Sequence, residues 1–205
     1  MKGLILRVGI VVAGFALCAP SYAADPRYPD WPCAQAKVPE LSVVAMWGGP
    51  PLDDATKAWK DDPKVTDLVP RLAARRTPIE DAEKSVAEFV TGTAPERERK
   101  AKLLFAGLFE RLNGERTEVM DGIERVARRQ KDLADKIKSD VSALHSAQDE
   151  AKPDQAKIDE LAKQVEWSTR IFDDRRKSIR YVCEVPPLIE RRLFALGRAA
   201  QQAME

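Results

Sequence analysis

The most regular pattern of apolar and polar positions lies in the second half of the chain. Residues 96–150 contain no proline, so one continuous helix on the order of 80 Å long is possible there. Its apolar residues are Leu104, Leu108, Leu112, Val119, Ile123, Val126, Leu133, Ile137 and Leu144. From Ile123 onward their spacing alternates between three and four, which is typical of a coiled coil. The expected kink or break is the Asn113-Gly114 step, because glycine weakens a helix.

A second apolar series with the same spacing follows a turn at Lys152-Pro153-Asp154. It consists of Ile158, Leu161, Val165, Phe172, Ile179 and Val182. Polar residues occupy four interior positions of the two series: Gln130, Asp140, Ser168 and Arg175. Two such segments joined by a turn predict an antiparallel coiled-coil hairpin at about residues 115–183. Its register should bring Leu144 near Ile158 or Leu161, and Ile123 near Ile179.

Shorter helices are predicted before the hairpin. Residues 53–60 and 64–75 are helical candidates, and Pro70 should break or kink the second of them. Two motifs, Thr77-Pro78-Ile79-Glu80 and Thr93-Ala94-Pro95-Glu96, each combine a threonine N-cap, an early proline and a glutamate that reaches back. They predict a helix, a tight turn and another helix.

The chain should end in one more helix. Pro186-Pro187 is expected to end the hairpin, and a final helix is predicted from residue 188 to about residue 204. Its broad apolar face contains Leu188, Ile189, Leu193, Leu196 and Ala200. This face should pack on residues 103–112 and 79–90.

The segment before these helices is rich in proline. Six prolines fall between residues 24 and 52: Pro26, Pro29, Pro32, Pro39, Pro50 and Pro51. Because proline fixes φ and lacks a backbone donor, a long regular element is excluded there, and Tyr28, Trp31 and Trp47 should hold the segment on the helices. The predicted architecture is all-α. A small helical bundle within residues 53–205 carries a projecting antiparallel coiled-coil hairpin and a Pro-rich N-terminal wrapping segment.

The first residues predict export. Lys2 and Arg7 lead into an apolar run that Pro20 closes, and small residues precede a cleavage point after Ala23. This is the pattern of a cleaved secretory signal peptide, residues 1–23. The run is shorter than the roughly 20 apolar residues that a spanning helix needs. A periplasmic or secreted protein without stable membrane insertion is therefore expected.

Two cysteines follow the predicted cleavage point, Cys33 and Cys183. An even number of cysteines in an exported protein indicates a disulfide, and the close spacing of a redox pair is absent. We therefore predict a Cys33–Cys183 bridge. It would close a long loop, for which the chain-entropy model allows about 4 to 5 kcal/mol as an upper figure.

Charge and composition narrow the function classes. The chain has 34 basic and 33 acidic side chains, a balance that argues against nucleic acid as a partner. The sequence has a single histidine, His145, and it contains no zinc, haem-attachment, Walker, nucleophile-elbow or EF-hand motif. No catalytic, cofactor-binding or metal-binding residue is predicted, and an enzyme is not expected.

Four arginine pairs are the most unusual charged feature: Arg75-Arg76, Arg128-Arg129, Arg175-Arg176 and Arg191-Arg192. Each has the chemistry to bind a phosphate or carboxylate. Acidic residues at three- and four-residue offsets favour local ion pairs instead, such as Glu124 with Arg128 and Asp173 with Arg176. Site-forming carboxylate pairs are not predicted, since adjacent acids on a helix point about 100° apart.

The function expected from these patterns is that of an exported, non-enzymatic helical adaptor or scaffold of the bacterial envelope, with a protein partner and an unspecified oligomeric state. A projecting hairpin offers a long surface and little enclosed volume. The candidate partner-binding residues at its tip are His145, Asp149, Glu150, Lys152 and Asp154. The first alternative is a periplasmic holdase chaperone, although no long exposed apolar patch is expected. A ligand-binding bundle with Trp59, Trp167 or Phe109 around a pocket ranks below both, because these residues are expected in the core.

Overall fold

A computed structural model describes residues 25–205, and this range folds into helices without a β-strand. The helices are α1 Val43–Met46, α2 Ala55–Ala58, α3 Pro63–Ala73, α4 Ile79–Phe89, α5 Ala94–Gln148, α6 Gln155–Val182 and α7 Val185–Gln202, with a 3-10 turn at Trp59–Asp61. The predicted all-α class is confirmed. The predicted signal peptide, residues 1–23, lies outside the described residues.

The core of the molecule lies in a bundle formed by α3, α4, α7 and the first part of α5, which we call the base. Its largest fully buried side chains are Leu72, Leu104, Phe105, Leu108, Leu112, Ile189, Leu193 and Leu196. Trp47 packs on this core and stacks on Phe105, with 4.7 Å between ring centroids. As predicted, α7 packs against both α5 and α4.

Beyond the base, α5 and α6 run antiparallel as a two-helix unit, the α5–α6 pair. The side-chain amide of Gln130 donates to the carbonyl oxygen of Phe172 at 2.6 Å, and that of Gln164 donates to Asp140 Oδ2 at 3.1 Å. These two contacts set the antiparallel register of the pair: residue 130 lies opposite residue 172, and residue 140 lies opposite residue 164. α6 buries only Ser168, whereas the shorter α7 buries six residues.

The N-terminal residues 25–40, which we call the strap, lie along one side of the α5–α6 pair. Cys33 is disulfide-bonded to Cys183, with 5.6 Å between their Cα atoms, so the predicted bridge is confirmed. Lys37 Nζ lies 2.6 Å from Glu124 Oε1, and Lys131 Nζ lies 2.7 Å from Asp30 Oδ1. A covalent bond and ion pairs thus fix the strap to the pair.

Two helices continue through the residues that were predicted to break or kink them. α3 runs through Pro70, and α5 runs through the Asn113-Gly114 step without interruption. Pro70 is exposed, while Val69 and Leu72 beside it are buried in the base. Burial of these neighbours outweighs the one backbone hydrogen bond that proline removes.

The helix starts were predicted only in part. Glu96 accepts a hydrogen bond from the backbone N–H of Thr93 at 2.8 Å, as a capping box requires, and a second one from the Thr93 hydroxyl, also at 2.8 Å. The predicted N-cap at Thr77 is wrong, because the Thr77 hydroxyl donates to Arg71 O at 3.0 Å. α4 begins at Ile79, after Pro78. The last helix also begins earlier than predicted, at Val185, because its prolines fit the first turn.

Candidate functional site

The two sides of the α5–α6 pair differ in what covers them. Ile179 and Val182 occupy interior positions of α6, so Cys183 and Arg176 project to one side and Ile171 and Ser178 to the other. The strap is bonded to Cys183 and therefore covers the first side. We call the second, on which the strap does not lie, the open side.

A shallow apolar groove lies on the open side, next to the base. It has a volume of about 410 Å³. Its apolar lining consists of Val119, Gly122, Ile123, Val126, Ile179 and Val182, and Ser178 and Arg175 complete it. The predicted proximity of Ile123 and Ile179 is therefore observed. We call this feature the open groove.

Four of the eight large hydrophobic side chains that are exposed in residues 25–205 belong to α5 and α6. Val126 and Val182 in the groove are exposed, and Tyr181 beside it is 78% exposed. Trp167, further along α6, is 63% exposed. That these residues form no long continuous apolar patch stays a prediction, since Trp167 lies about 22 Å along α6 from Val182.

The expectation that Trp167 belongs to the core is wrong. The adjacent Ser168 takes the interior position of the three-four series and is buried, which directs Trp167 outward. Trp59 and Phe109 are partly buried against the base core, as expected of packing residues. The three aromatic residues do not line one common pocket.

Arginines border the open groove. Arg175 is part of its lining, and the Arg125 guanidinium lies 3.7 Å from the position that a Cβ on Gly122 would take. Neither guanidinium forms an ion pair with an acid among residues 25–205, although neighbouring Arg176 pairs with Asp173 at 3.4 Å. The rim is therefore positively charged and available to an acidic group.

The ion pairs of the strap side differ from the predicted ones. The pair between Asp173 and Arg176 is confirmed, but Glu124 binds Lys37 of the strap and not Arg128. Arg128 instead lies 3.4 Å from Asp30 of the strap. Hydrogen bonding to Lys131, and secondarily to Arg128, lowers the pKa of Asp30 below its ordinary value. The three- and four-residue offsets predicted the local pair of Asp173 with Arg176. They did not predict the ion pairs that α5 forms with the strap.

A cavity of about 660 Å³ lies between part of the strap and the pair. Trp31, Phe172, Gln130 and Arg180 are among its lining residues. Gln130 Nε2 is satisfied by the Phe172 carbonyl, but its buried Oε1 has no hydrogen-bond partner. This amide fixes the register of the pair at the cost of one unsatisfied acceptor.

The predicted tip residues are all exposed, His145 in the last turn of α5 and the other four between α5 and α6. Asp154 caps α6 by accepting from the N–H groups of Ala156 and Lys157, at 3.0 and 3.3 Å. Glu150 lies 3.4 Å from Lys157 Nζ, and the N–H of Asp149 donates to the carbonyl of His145. These contacts stabilise the turn, and a partner-binding role for the tip stays a prediction.

A buried arginine that the sequence did not single out joins three elements. Arg116 of α5 is 2% exposed, and its Nε lies 2.5 Å from Glu190 Oε1 on α7. Its Nη2 donates to the carbonyl of Val38 in the strap at 2.5 Å. In the sequence, Arg116 is recognisable only as a charged residue on an otherwise apolar helical face. Such residues are too common to predict a buried ion pair.

One member of the Arg191-Arg192 pair is likewise structural. Arg192 Nε donates to the carbonyl of Leu72 at 2.7 Å, and its Nη2 donates to that of Thr77 at 3.0 Å. Burial lowers the pKa of this guanidinium from its usual value. The side chain ties α7 to the α3–α4 turn.

Two further kinds of feature are absent from residues 25–205. This range contains no cluster of three or more His, Cys, Asp or Glu side chains placed to hold a metal ion. None of its helices is both long and apolar enough to cross a membrane. No protein-family model, curated protein or solved structure matches the chain.

Proposed function

We propose that this protein is an exported, non-enzymatic helical interaction protein, an adaptor or scaffold of the bacterial envelope, that binds a protein partner through its α5–α6 pair. The observation that carries the proposal is the exposed apolar surface on the open side. An apolar groove with a polar rim is a shape that interaction sites use. Tyr181 and Trp167 belong to the residue types that most often dominate binding energy.

Export is supported by the disulfide between Cys33 and Cys183. Disulfides persist in oxidising compartments such as the periplasm and are rare where thiols are kept reduced. The predicted signal peptide points to the same compartments. Periplasmic or secreted localisation is therefore part of the proposal.

The strap determines which side of the pair is accessible to a partner. It covers one side of the pair through the disulfide and the Lys37–Glu124 and Asp30–Lys131 ion pairs. A partner then meets an apolar surface on the open side only. Burial of that surface supplies the affinity, and the arginine rim selects the partner and its orientation.

The test is chemical crosslinking and mass spectrometry on the mature, oxidised protein in extracts of its own envelope. Three chains are compared: the natural sequence, a tip deletion that joins residue 141 to residue 162 through a short turn, and Val126→Asp. The deletion removes matched lengths of α5 and α6, so the remaining pair keeps its register. Val44→Asp is the control, because Val44 is 84% exposed and lies away from the pair.

Each outcome has a definite meaning. Loss of one stoichiometric partner with Val126→Asp, and not with Val44→Asp, supports binding at the open groove. Loss with the tip deletion alone supports the binding site predicted at His145, Asp149, Glu150, Lys152 and Asp154. A partner retained by every variant contradicts binding through the pair.

A holdase chaperone is the second candidate, and the exposure of Tyr181 and Trp167 favours it. Unfolded clients expose apolar segments that bind such surfaces without sequence specificity. This function predicts that aggregation of several unrelated clients is suppressed at near-stoichiometric ratios. Suppression of none of them would exclude it.

A further inference from the structure

Resting on the proposed function, we infer that the partner element bound by the open groove is an amphipathic helix with acidic residues beside its apolar face. The bound helix would be a third strand against α5 and α6, in the helix-in-groove mode of recognition. The inference depends on the shape of the groove and on the charge of its rim.

The shape of the groove suits a helix. Its lining spans residues 119–126 of α5 and 175–182 of α6, each about two helical turns or on the order of 10 Å. Gly122 lies in the middle of this lining and presents no side chain. A partner helix therefore approaches closely there, and its side chains at three- and four-residue spacing fit between those of the pair.

The charge of the rim selects the flanks of that helix. Arg125 and Arg175 border the groove and form no ion pair within the described part of the chain. Two nearby acids are engaged or directed elsewhere: Asp174 lies 3.4 Å from Lys177 Nζ, and Glu118 lines a separate pocket beside Trp59. Asp132 and Asp135 line another pocket with Arg125 but form no ion pair with it. Glutamate or aspartate next to the apolar face of a partner therefore meets two available guanidinium groups.

A second copy of this chain is a poorer occupant. A symmetric dimer through the open groove would place the same patch on both subunits. Arg125 and Arg175 of both copies would then lie in one interface, and the groove lining offers no acidic residue to pair with them. Charge complementarity thus favours an acidic helix over self-association.

The test uses the mature, oxidised protein and two designed helical peptides of three heptads. Both carry the same apolar positions, and one has glutamate and the other lysine at the flanking positions. Binding is measured by fluorescence anisotropy at peptide concentrations where each peptide is monomeric. The glutamate peptide should bind at least about tenfold more tightly, and its advantage should shrink as salt is raised.

Two glycine variants separate groove filling from loss of folding. Gly122→Leu fills the open groove, and its Cβ meets only the Arg125 side chain at an ordinary contact distance of 3.7 Å. Gly114→Leu is the matched control on the same helix, where nothing lies within 4 Å of the added Cβ. Both replacements favour the helix. Gly122→Leu should lower peptide affinity about tenfold or more while Gly114→Leu leaves it unchanged.

Charge reversal tests the acidic flanks. The double variant Arg125→Glu/Arg175→Glu should reverse the preference, so that the lysine peptide binds more tightly. Arg180→Glu is the control, because Arg180 lines the cavity under the strap. Equal affinity for the two peptides, or a preference unchanged by the double variant, overturns the inference.

The remaining outcomes separate this inference from the proposed function. If neither peptide binds but Val126→Asp still abolishes capture of the envelope partner, the acidic helix is wrong and the proposed function stands. If capture survives both Val126→Asp and Gly122→Leu, the binding surface lies elsewhere and the inference is overturned with it. A dimer in sedimentation that Gly122→Leu dissociates would show that a second copy occupies the groove, which also overturns the inference.

Discussion

The base and the α5–α6 pair are built from the same kind of helix and are stabilised in different ways. In the base, side chains such as Phe105, Leu108 and Leu193 are fully enclosed by several helices. In the pair, each helix has one helical neighbour, and α6 buries a single residue, Ser168. The strap, the disulfide and a few polar contacts supply part of what a core supplies in the base.

This difference in burial explains how a pair of long helices acquires a binding surface. A two-helix unit has two sides that a third element can cover. The strap covers one side, since Cys33 and Lys37 both bind there, and the open groove remains on the other. In the base, the core side chains are covered by several helices, so no added segment is needed to cover them.

The largest effect is expected for a truncation in the base. Phe105→Ala removes a fully buried ring that stacks on Trp47 and should lower the free energy of unfolding by about 3–5 kcal/mol. Denaturant unfolding measures the loss. Phe194→Ala is the matched control, since Phe194 is exposed on α7 and its loss should cost less than about 1 kcal/mol. Similar losses in the two variants would contradict the assignment of the core.

Loss of the disulfide should have the next largest effect. The double variant Cys33→Ser/Cys183→Ser frees a loop with a sequence separation of 150 residues and should cost about 2–4 kcal/mol. Hydrogen exchange should become faster in the strap while the base keeps its protection. A strap whose exchange is unchanged would show that the ion pairs alone hold it.

A smaller loss is expected at the junction of the two regions. Glu190→Leu leaves the buried guanidinium of Arg116 with only the backbone carbonyls of Val38 and Pro39, which should cost about 1–3 kcal/mol. The exposed Glu118 supplies the control, Glu118→Leu. If thermal unfolding shifts equally in both variants, the Arg116–Glu190 pair does not join the regions.

In the interior of the pair, a polar residue should be replaceable at little cost. Gln130→Leu removes one hydrogen bond to Phe172 and also an unsatisfied buried acceptor, so stability should change by less than about 1 kcal/mol. Calorimetry measures the shift. A loss well above that figure would indicate that Gln130 Oε1 has a partner in the cavity under the strap.

The smallest effect is a pH dependence near the tip. Hydrogen bonding to Lys136, and secondarily to Gln164, lowers the pKa of Asp140. Because the folded pKa lies below the unfolded one, the contribution of Asp140 is present above the ordinary carboxylate pKa and is lost as pH falls through the lowered value. Carboxyl-carbon NMR should show the pKa rising toward its usual value in Lys136→Ala. In Lys138→Ala it should stay low, and a rise there as well would contradict the assignment to Lys136.

Much of the helical architecture was predictable from the sequence. The three-four spacing and the turn near Pro153 are local, so they indicate both helices and bring Ile123 to the same groove as Ile179. The Cys33–Cys183 bridge followed from the number and spacing of the cysteines.

The candidate site was less predictable. Heptad spacing identifies the interior of a pair but not which side another segment covers, so it did not indicate the open groove. Trp167 was expected in the core from its residue type, whereas the phase of the series places Ser168 inside. The ion pair of Glu124 with Lys37 joins residues far apart in the chain, and no local offset predicts it.

Photo-crosslinking from the open side tests the central claim most directly. Benzoylphenylalanine is placed at position 181, beside the groove, and in a separate chain at position 44, which is also highly exposed. We predict one discrete crosslinked partner from position 181 in the envelope, which persists with Gly114→Leu, disappears with Gly122→Leu and does not form from position 44. The same partner from both positions, or a crosslink that survives Gly122→Leu, would contradict the open groove as the binding surface.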